Sequence, residues 1–179
     1  MLLNVLKGAY PSLQQISKDH LIDTAEKFER GICLVEQFAD GVTTWKVADG
    51  TTAEDPAAIV HFSLHGADDY QTLQAGTMVG EKFSARVSAL SCLQPMEIET
   101  DMFDKEADLE PGDYLTTGAG GILVKAANDG SQNIYAQVTK AKYARWSNNA
   151  ESGGVPSGFR QGATVDVIAA RTVFIPATA

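Results

Sequence analysis

The stretch LEPGDYLTTGAGGILVK, Leu109 to Lys125, constrains this chain more than any other part of it. Pro111-Gly112-Asp113 is a turn: proline presets φ, glycine permits positive φ, and the aspartate side chain can bond its own backbone. Tyr114 to Thr117 is aromatic or β-branched apart from Leu115, a composition that favours a strand. Gly118-Ala119-Gly120-Gly121 is a reversal nearly free of side chains, and Ile122-Leu123-Val124 is a second apolar run. Strand, glycine turn and strand read as a β-hairpin.

The rest of the chain repeats this grammar. Gly31 to Phe38 (GICLVEQF) reads as a strand, Asp40-Gly41 as a hairpin turn, and Val42 to Val47 (VTTWKV) as the returning strand. Asp49 to Pro56 reads as an acidic loop. Further strands are expected at Ala58–Leu64, Glu81–Leu93, Ile134–Trp146 and Thr164–Ile175. In Glu81–Leu93 the residues Phe83, Ala85, Val87 and Ala89 fall on one face. Glu97 to Thr100 is expected as an exposed edge strand whose charges block edge-to-edge pairing. Asp19 to Arg30 allows either one or two helical turns or a bent strand. Single turns are expected within 67–72 and 76–79. Turn signals recur roughly every ten residues and no long amphipathic helix appears, so the expected fold is all-β, an antiparallel sandwich or barrel-like domain. That single β domain spans 25–179. An extended N-terminal arm, 1–24, precedes it, and a long flexible loop, 147–162, rich in glycine, serine and asparagine, lies in its C-terminal half.

Charge and motif spacing exclude several classes of function. A formal net charge of -9, with pI near 4.7, repels phosphate backbones, so no direct nucleic-acid partner is expected. No window approaches ~18 apolar residues, and the start lacks a basic region followed by a long apolar stretch, so neither a membrane span nor a signal peptide is expected. Cys33 and Cys92 each sit inside an apolar run and read as buried free thiols. His61 and His65 have the spacing of a metal pair on a helix, but on a strand that spacing is ~13 Å, too far to share an ion. Ser63 and Ser84 lack a nucleophile elbow. The glycines at 118–121 have the wrong spacing for a dinucleotide site, and a strand follows them instead of a helix. The acidic run from Glu97 to Asp113 lacks EF-hand spacing and reads as a solvated face. No catalytic, cofactor-binding or metal-ligating residue is assigned, and the chain reads as a non-enzyme.

Over residues 25–142 the pattern of turns and strands resembles the head decoration (cement) proteins of tailed bacteriophages. The residues that carry the likeness are Arg30-Gly31, Gly112-Asp113-Tyr114-Leu115, Gly121-Ile122-Leu123 and Ala136-Gln137-Val138. The resemblance implies a β-tulip or jelly-roll type of domain with a structural role and no cofactor. Such a protein binds the outer surface of the capsid of a virion assembled in the host cytoplasm, and stabilises contacts between neighbouring subunits. Its implied partners are the major capsid protein and copies of itself, a homotrimer ahead of a dimer. The capsid contacts expected here are Leu2, Leu3, Val5, Leu6 and Tyr10 of the arm, with Phe159 and Arg160 of the loop. Three alternatives stand beside this reading. One is a tail-tube or head-tail joining subunit. Another is a carbohydrate-binding β-sandwich module, for which Trp45, Tyr143 and Trp146 would supply the aromatic platform. The third is a small trimeric β-barrel hydrolase, such as a nucleotide hydrolase, whose placed Asp with Arg and Ser/Gly phosphate motifs are missing from the sequence.

Overall fold

The computed structural model describes residues 3–7, 17–24, 29–64, 83–127, 129–146 and 164–178. Eleven strands and one helical turn lie within them, in the order β1 (Leu3–Lys7), β2 (Ser17–Thr24), β3 (Cys33–Ala39), β4 (Val42–Val47), α1 (Gly50–Glu54), β5 (Val60–Ser63), β6 (Phe83–Ser91), β7 (Glu97–Thr100), β8 (Tyr114–Thr117), β9 (Leu123–Lys125), β10 (Ile134–Trp146) and β11 (Thr164–Ile175). They form two layers. One is a closed five-stranded barrel in the order β2-β4-β3-β5-β6; the other is a six-stranded sheet in the order β1-β7-β11-β10-β8-β9. All pairings are antiparallel except β2 with β4, which closes the barrel through two residue pairs, Leu21 with Thr44 and Ile22 with Trp45.

Two hydrophobic cores follow from the two layers. The larger lies between barrel and sheet: Cys33, Val60, Phe62, Leu90 and Cys92 of the barrel wall meet Ile98, Leu115, Leu123, Tyr135 and Ile168 of the sheet. The smaller fills the barrel lumen with Ile22, Ile32, Leu34, Trp45, Val87 and Ala89. Where strands are shared by both cores they are buried on both faces: Cys33 and Leu34 of β3, Val60 to Ser63 of β5, and Ala89 and Leu90 of β6. In β5, Val60 and Phe62 point to the sheet, while His61 occupies the alternate, lumen-facing position.

The turns fall at the expected positions. Asp40 and Gly41 both have positive φ, 52° and 78°, as a two-residue hairpin matching the twist of its strands requires. The β8–β9 hairpin closes through a 3-10 turn over Ala119–Gly121, with Gly118 N donating to Ile122 O. Four expectations are corrected or resolved. The acidic loop after β4 contains α1, capped by Asp49, whose carboxylate accepts from Thr51 N and Thr52 N while Thr52 Oγ1 accepts from Asp49 N. Glu97–Thr100 is not an edge strand: β7 lies between β1 and β11, and Glu99 is 1% exposed. Residues 17–24 settle as strand β2, paired with β6 along eight positions. Residues 3–7 of the expected arm form the outer strand of the sheet. The turns expected at 67–72 and 76–79 and the loop 147–162 lie outside the described residues.

Candidate functional site

The β3–β4 hairpin projects from the barrel. Its last pairing with β5 is at Val35 and its first with β2 is at Thr44, so residues 38–43 have no flanking strand among the described residues. On this tip Phe38 is 74% exposed and Val42 53%. Leu21 of β2, paired with Thr44, is 40% exposed, on the face opposite Phe38 by strand alternation. Strand alternation puts Phe38 on the same face as Leu34 and Glu36, yet it stands past the barrel mouth and finds no core to enter. The sequence carried a signal for this: an aromatic two residues before an Asp-Gly turn lies at the end of a hairpin, where neighbours are fewest.

Of the expected contact residues, Leu3 is buried in the core between the layers, Val5 packs against that core, and Leu6 is 42% exposed at the sheet edge. Leu2, Tyr10, Phe159 and Arg160 lie outside the described residues. The aromatic platform considered for sugar binding is not assembled: Trp45 is buried in the lumen, donating through Nε1 to Val87 O at 2.7 Å, and Tyr143 is half-buried beneath Lys140, whose Nζ lies 3.6 Å from the ring centre. The side chain of Trp146 lies outside the described residues.

A polar cluster caps one end of the lumen. Lys18 Nζ and His20 Nε2 lie 2.7 Å and 2.8 Å from the two carboxylate oxygens of Glu36. Partial burial pushes the Glu36 carboxyl up, but the hydrogen bonds from Lys18 and His20 outweigh it and hold it below its ordinary value. The His20 ring meets Trp45 edge-on at 4.8 Å, and the His61 ring lies tilted against Trp45 at 5.0 Å. His61 is 1% exposed, and among the described residues neither ring nitrogen makes a hydrogen bond of ordinary geometry. Burial, reinforced by Lys18, pushes its pKa down to about 4.

A second polar cluster lies on the outer face of the sheet. The buried Glu99 carboxylate accepts from Tyr143 Oη and from Arg145 Nη1. Burial and the Glu99 charge together raise the Tyr143 phenol to about 12. Both partners lie on the part of β10 that runs past its pairing with β8, so the cluster ties the long β10–β11 ribbon down onto β7.

The cysteines are free and buried. They flank β5 on opposite sides, Cys33 paired with Phe62 and Cys92 N donating to Val60 O. Two strand spacings separate them by ~9–10 Å, more than the ~7 Å a disulfide spans. Burial raises both thiols, Cys92 to about 11, so neither is a nucleophile at neutral pH. Between the outer face of β3–β4 and α1 an open groove of about 550 Å³ is lined by Val35, Lys46, Thr51, Asp55 and Ile59 among others. Its mixed charges favour ligands of neither sign. Among the described residues no group of three or more His, Cys, Asp or Glu could hold a metal ion, and no helix is long and apolar enough to cross a membrane.

No family model, curated protein or solved structure matches this chain. What these residues expose on the described surface is the apolar tip of the β3–β4 hairpin, Phe38 and Val42.

Proposed function

We propose that this chain is a structural protein that decorates the outer surface of a tailed-phage capsid and bridges neighbouring major capsid subunits. The observation that carries the reading is the projecting hairpin tip. Phe38 and Val42 stand in water on either side of the Asp40-Gly41 turn, at the paired end of the hairpin. An exposed aromatic anchor on a preorganised element is what a protein interface uses, because little entropy is lost when it docks. The acidic surface supports an outward position, away from packaged DNA. The turn pattern of residues 25–142 supports the same assignment. The protein acts by binding, without catalysis, and works as a closed oligomer on the lattice, a trimer ahead of a dimer.

The test is co-sedimentation of the purified protein with expanded tailed-phage capsids stripped of their own outer proteins. The full chain is expected to saturate them at a fixed ratio to the major capsid protein. The double variant F38S/V42S, with an unchanged melting curve, is expected to bind at least about tenfold more weakly, the size of one hot-spot side chain. Capsids that leave the full chain in the supernatant would rule the reading out. Single, unclustered copies on the lattice by cryo-electron microscopy would rule out the trimer.

A further inference from the structure

The barrel is closed by its weakest seam. β2 pairs with β6 at eight positions, but with β4 at only two, Leu21–Thr44 and Ile22–Trp45. Trp45 is therefore both the seam residue and the centre of the lumen. Its indole donates to Val87 O of β6, and its ring contacts both His20 of β2 and His61 of β5. A second tie crosses from β2 to β3, where Lys18 and His20 share the carboxylate of Glu36. Beyond two backbone pairs and the buried Ile22, the described contacts that hold β2 to β4 and β3 are the ring contact of His20 with Trp45 and the carboxylate of Glu36.

We infer that this seam is an acid-operated latch: protonation of His61 and Glu36 releases β2 from β4 and opens the barrel while the six-stranded sheet stays folded. The charged or titratable groups facing His61 are Lys18 and His20 from β2 and Glu36 from β3. From β4, β5 and β6 the described neighbours are uncharged: Trp45, Ser63, Val87, Ala89 and Ser91. A proton on His61 therefore places a positive charge in an apolar lumen, with a lysine near and a single carboxylate to compensate. A proton on Glu36 removes that carboxylate and cuts the tie to Lys18 and His20. The two events act in the same direction.

The sign follows from linkage. His61 has a closed-state pKa of about 4 against an ordinary 6.5, so the open state binds the proton more readily and the closed state loses stability as pH falls from 6.5 towards 4. Glu36 lies below its ordinary value, so its contribution is present at neutral pH and is lost as pH falls through its lowered pKa. Of the described residues of β2 only Ile22 enters a core, and it enters the lumen cluster, so β2 can part from β4 without withdrawing a side chain from the core between barrel and sheet. This latch does not depend on the capsid reading.

The experiment uses the full chain carrying W146F, which leaves Trp45 as the single tryptophan. On acidification from neutral pH, Trp45 emission is expected to shift to the red. Amides of Ile22 and Trp45 are expected to exchange about a hundredfold faster near pH 4.5 than at neutral pH after correction for intrinsic rates, while those of Ile168 and Ala170 stay protected. His61→Leu is expected to move the fluorescence midpoint down by about one pH unit or more. Should that variant fail to fold, His61→Gln, equally unable to take a proton, gives the same reading. Glu36→Gln is expected to raise the midpoint. The latch is overturned by an unchanged midpoint in the folded His61 variant, or by loss of protection at Ile168 and Ala170 together with Ile22 and Trp45.

Discussion

Gly121 and Cys33 meet backbone to backbone. A β-carbon on Gly121 would stand 2.8 Å from the Cys33 carbonyl oxygen and 3.2 Å from its amide nitrogen, with Val47 Cγ1 at 3.1 Å. Gly121 also has φ of +72°, in the region that side chains other than glycine rarely adopt. The glycine turn of the β8–β9 hairpin is thus the point where the sheet is set against barrel strands β3 and β4. The close approach is only possible because the turn carries no side chain there.

Gly121→Ala and Gly120→Ala separate the two requirements. Gly120 has φ of +71°, but a β-carbon added to it would meet nothing within 4 Å. Gly120→Ala meets only the backbone penalty and is expected to cost about 1–2 kcal/mol. Gly121→Ala adds a clash with backbone that no rotamer change relieves, and is expected to cost at least about 3 kcal/mol. Urea unfolding of the two variants side by side measures the difference; equal losses would mean that the contact between the layers yields.

Much of this fold was legible because its signals are local. The Asp40-Gly41 turn, the alternation in β3 and β4, and the β8–β9 hairpin each follow from neighbouring residues. The misreadings share a different cause. Glu97-Ile98-Glu99-Thr100 carries two carboxylates and looks solvated, yet Glu99 is buried because Tyr143 and Arg145, more than forty positions away, fold over it. Trp45 looks like a surface aromatic in VTTWKV until barrel closure puts it in a lumen. His61 alternates with Val60 and Phe62, but only the closed barrel gives that alternate face no water. Helix α1 was hidden in a turn-rich loop whose Asp49 and Thr52 have capping-box spacing without a Glu or Gln.

Asn133 organises a junction at the other end of the sheet. Its Nδ2 donates to Asp55 O and, at 2.9 Å, to Tyr135 Oη; its Oδ1 accepts from Ala177 N at 2.7 Å. Tyr135 Oη lies 3.2 Å from both Thr52 O and Ala58 O. The loop around α1 and the C-terminal segment are therefore held on one fully buried amide. Asn133→Leu keeps the branched shape of the side chain but strands these partners, and is expected to cost about 2–4 kcal/mol. Tyr135→Phe removes one hydroxyl and is expected to cost about 1–2 kcal/mol. If Tyr135→Phe were the more damaging by thermal unfolding, the hydroxyl and not the amide would be the hub.

Glu99→Gln tests the ribbon clamp. The charge on Arg145 is partly solvated, its side chain being 41% exposed, so losing the carboxylate is expected to cost only about 1–2 kcal/mol. The more specific effect is on Tyr143. Burial still raises its phenol, but without the Glu99 charge its titration is expected to move down from about 12 towards the ordinary 10. Ultraviolet difference titration of the variant against the parent follows it. Amides of Tyr143 to Trp146 should exchange faster in the variant, since a two-stranded ribbon is marginal without an anchor. An unchanged phenol titration would mean that burial alone sets the Tyr143 value.

The first strand offers the sharpest test of where the body of the protein begins. Leu3 is 8% exposed and packs into the core between the layers, and β1 pairs with β7 from Leu3–Thr100 to Lys7–Glu97 with one bulge after Val5. Gly31 makes room for it: a β-carbon there would lie 3.4 Å from Leu3 Cβ and 3.1 Å from Thr100 Oγ1. Leu3→Ala is therefore expected to cost about 2–4 kcal/mol, as a core truncation that leaves a cavity. Leu6, exposed at 42%, should tolerate Leu6→Ser with a change within about 0.5 kcal/mol. Removing residues 1–9 deletes the strand and bares the backbone of β7 as a new sheet edge, which invites pairing between copies. The truncated chain is expected to melt lower than the parent and to aggregate on heating at concentrations where the parent does not. Differential scanning calorimetry with light scattering reads both. A truncated chain with the parent's melting temperature would place β1 outside the cooperative unit, as an arm available for a partner.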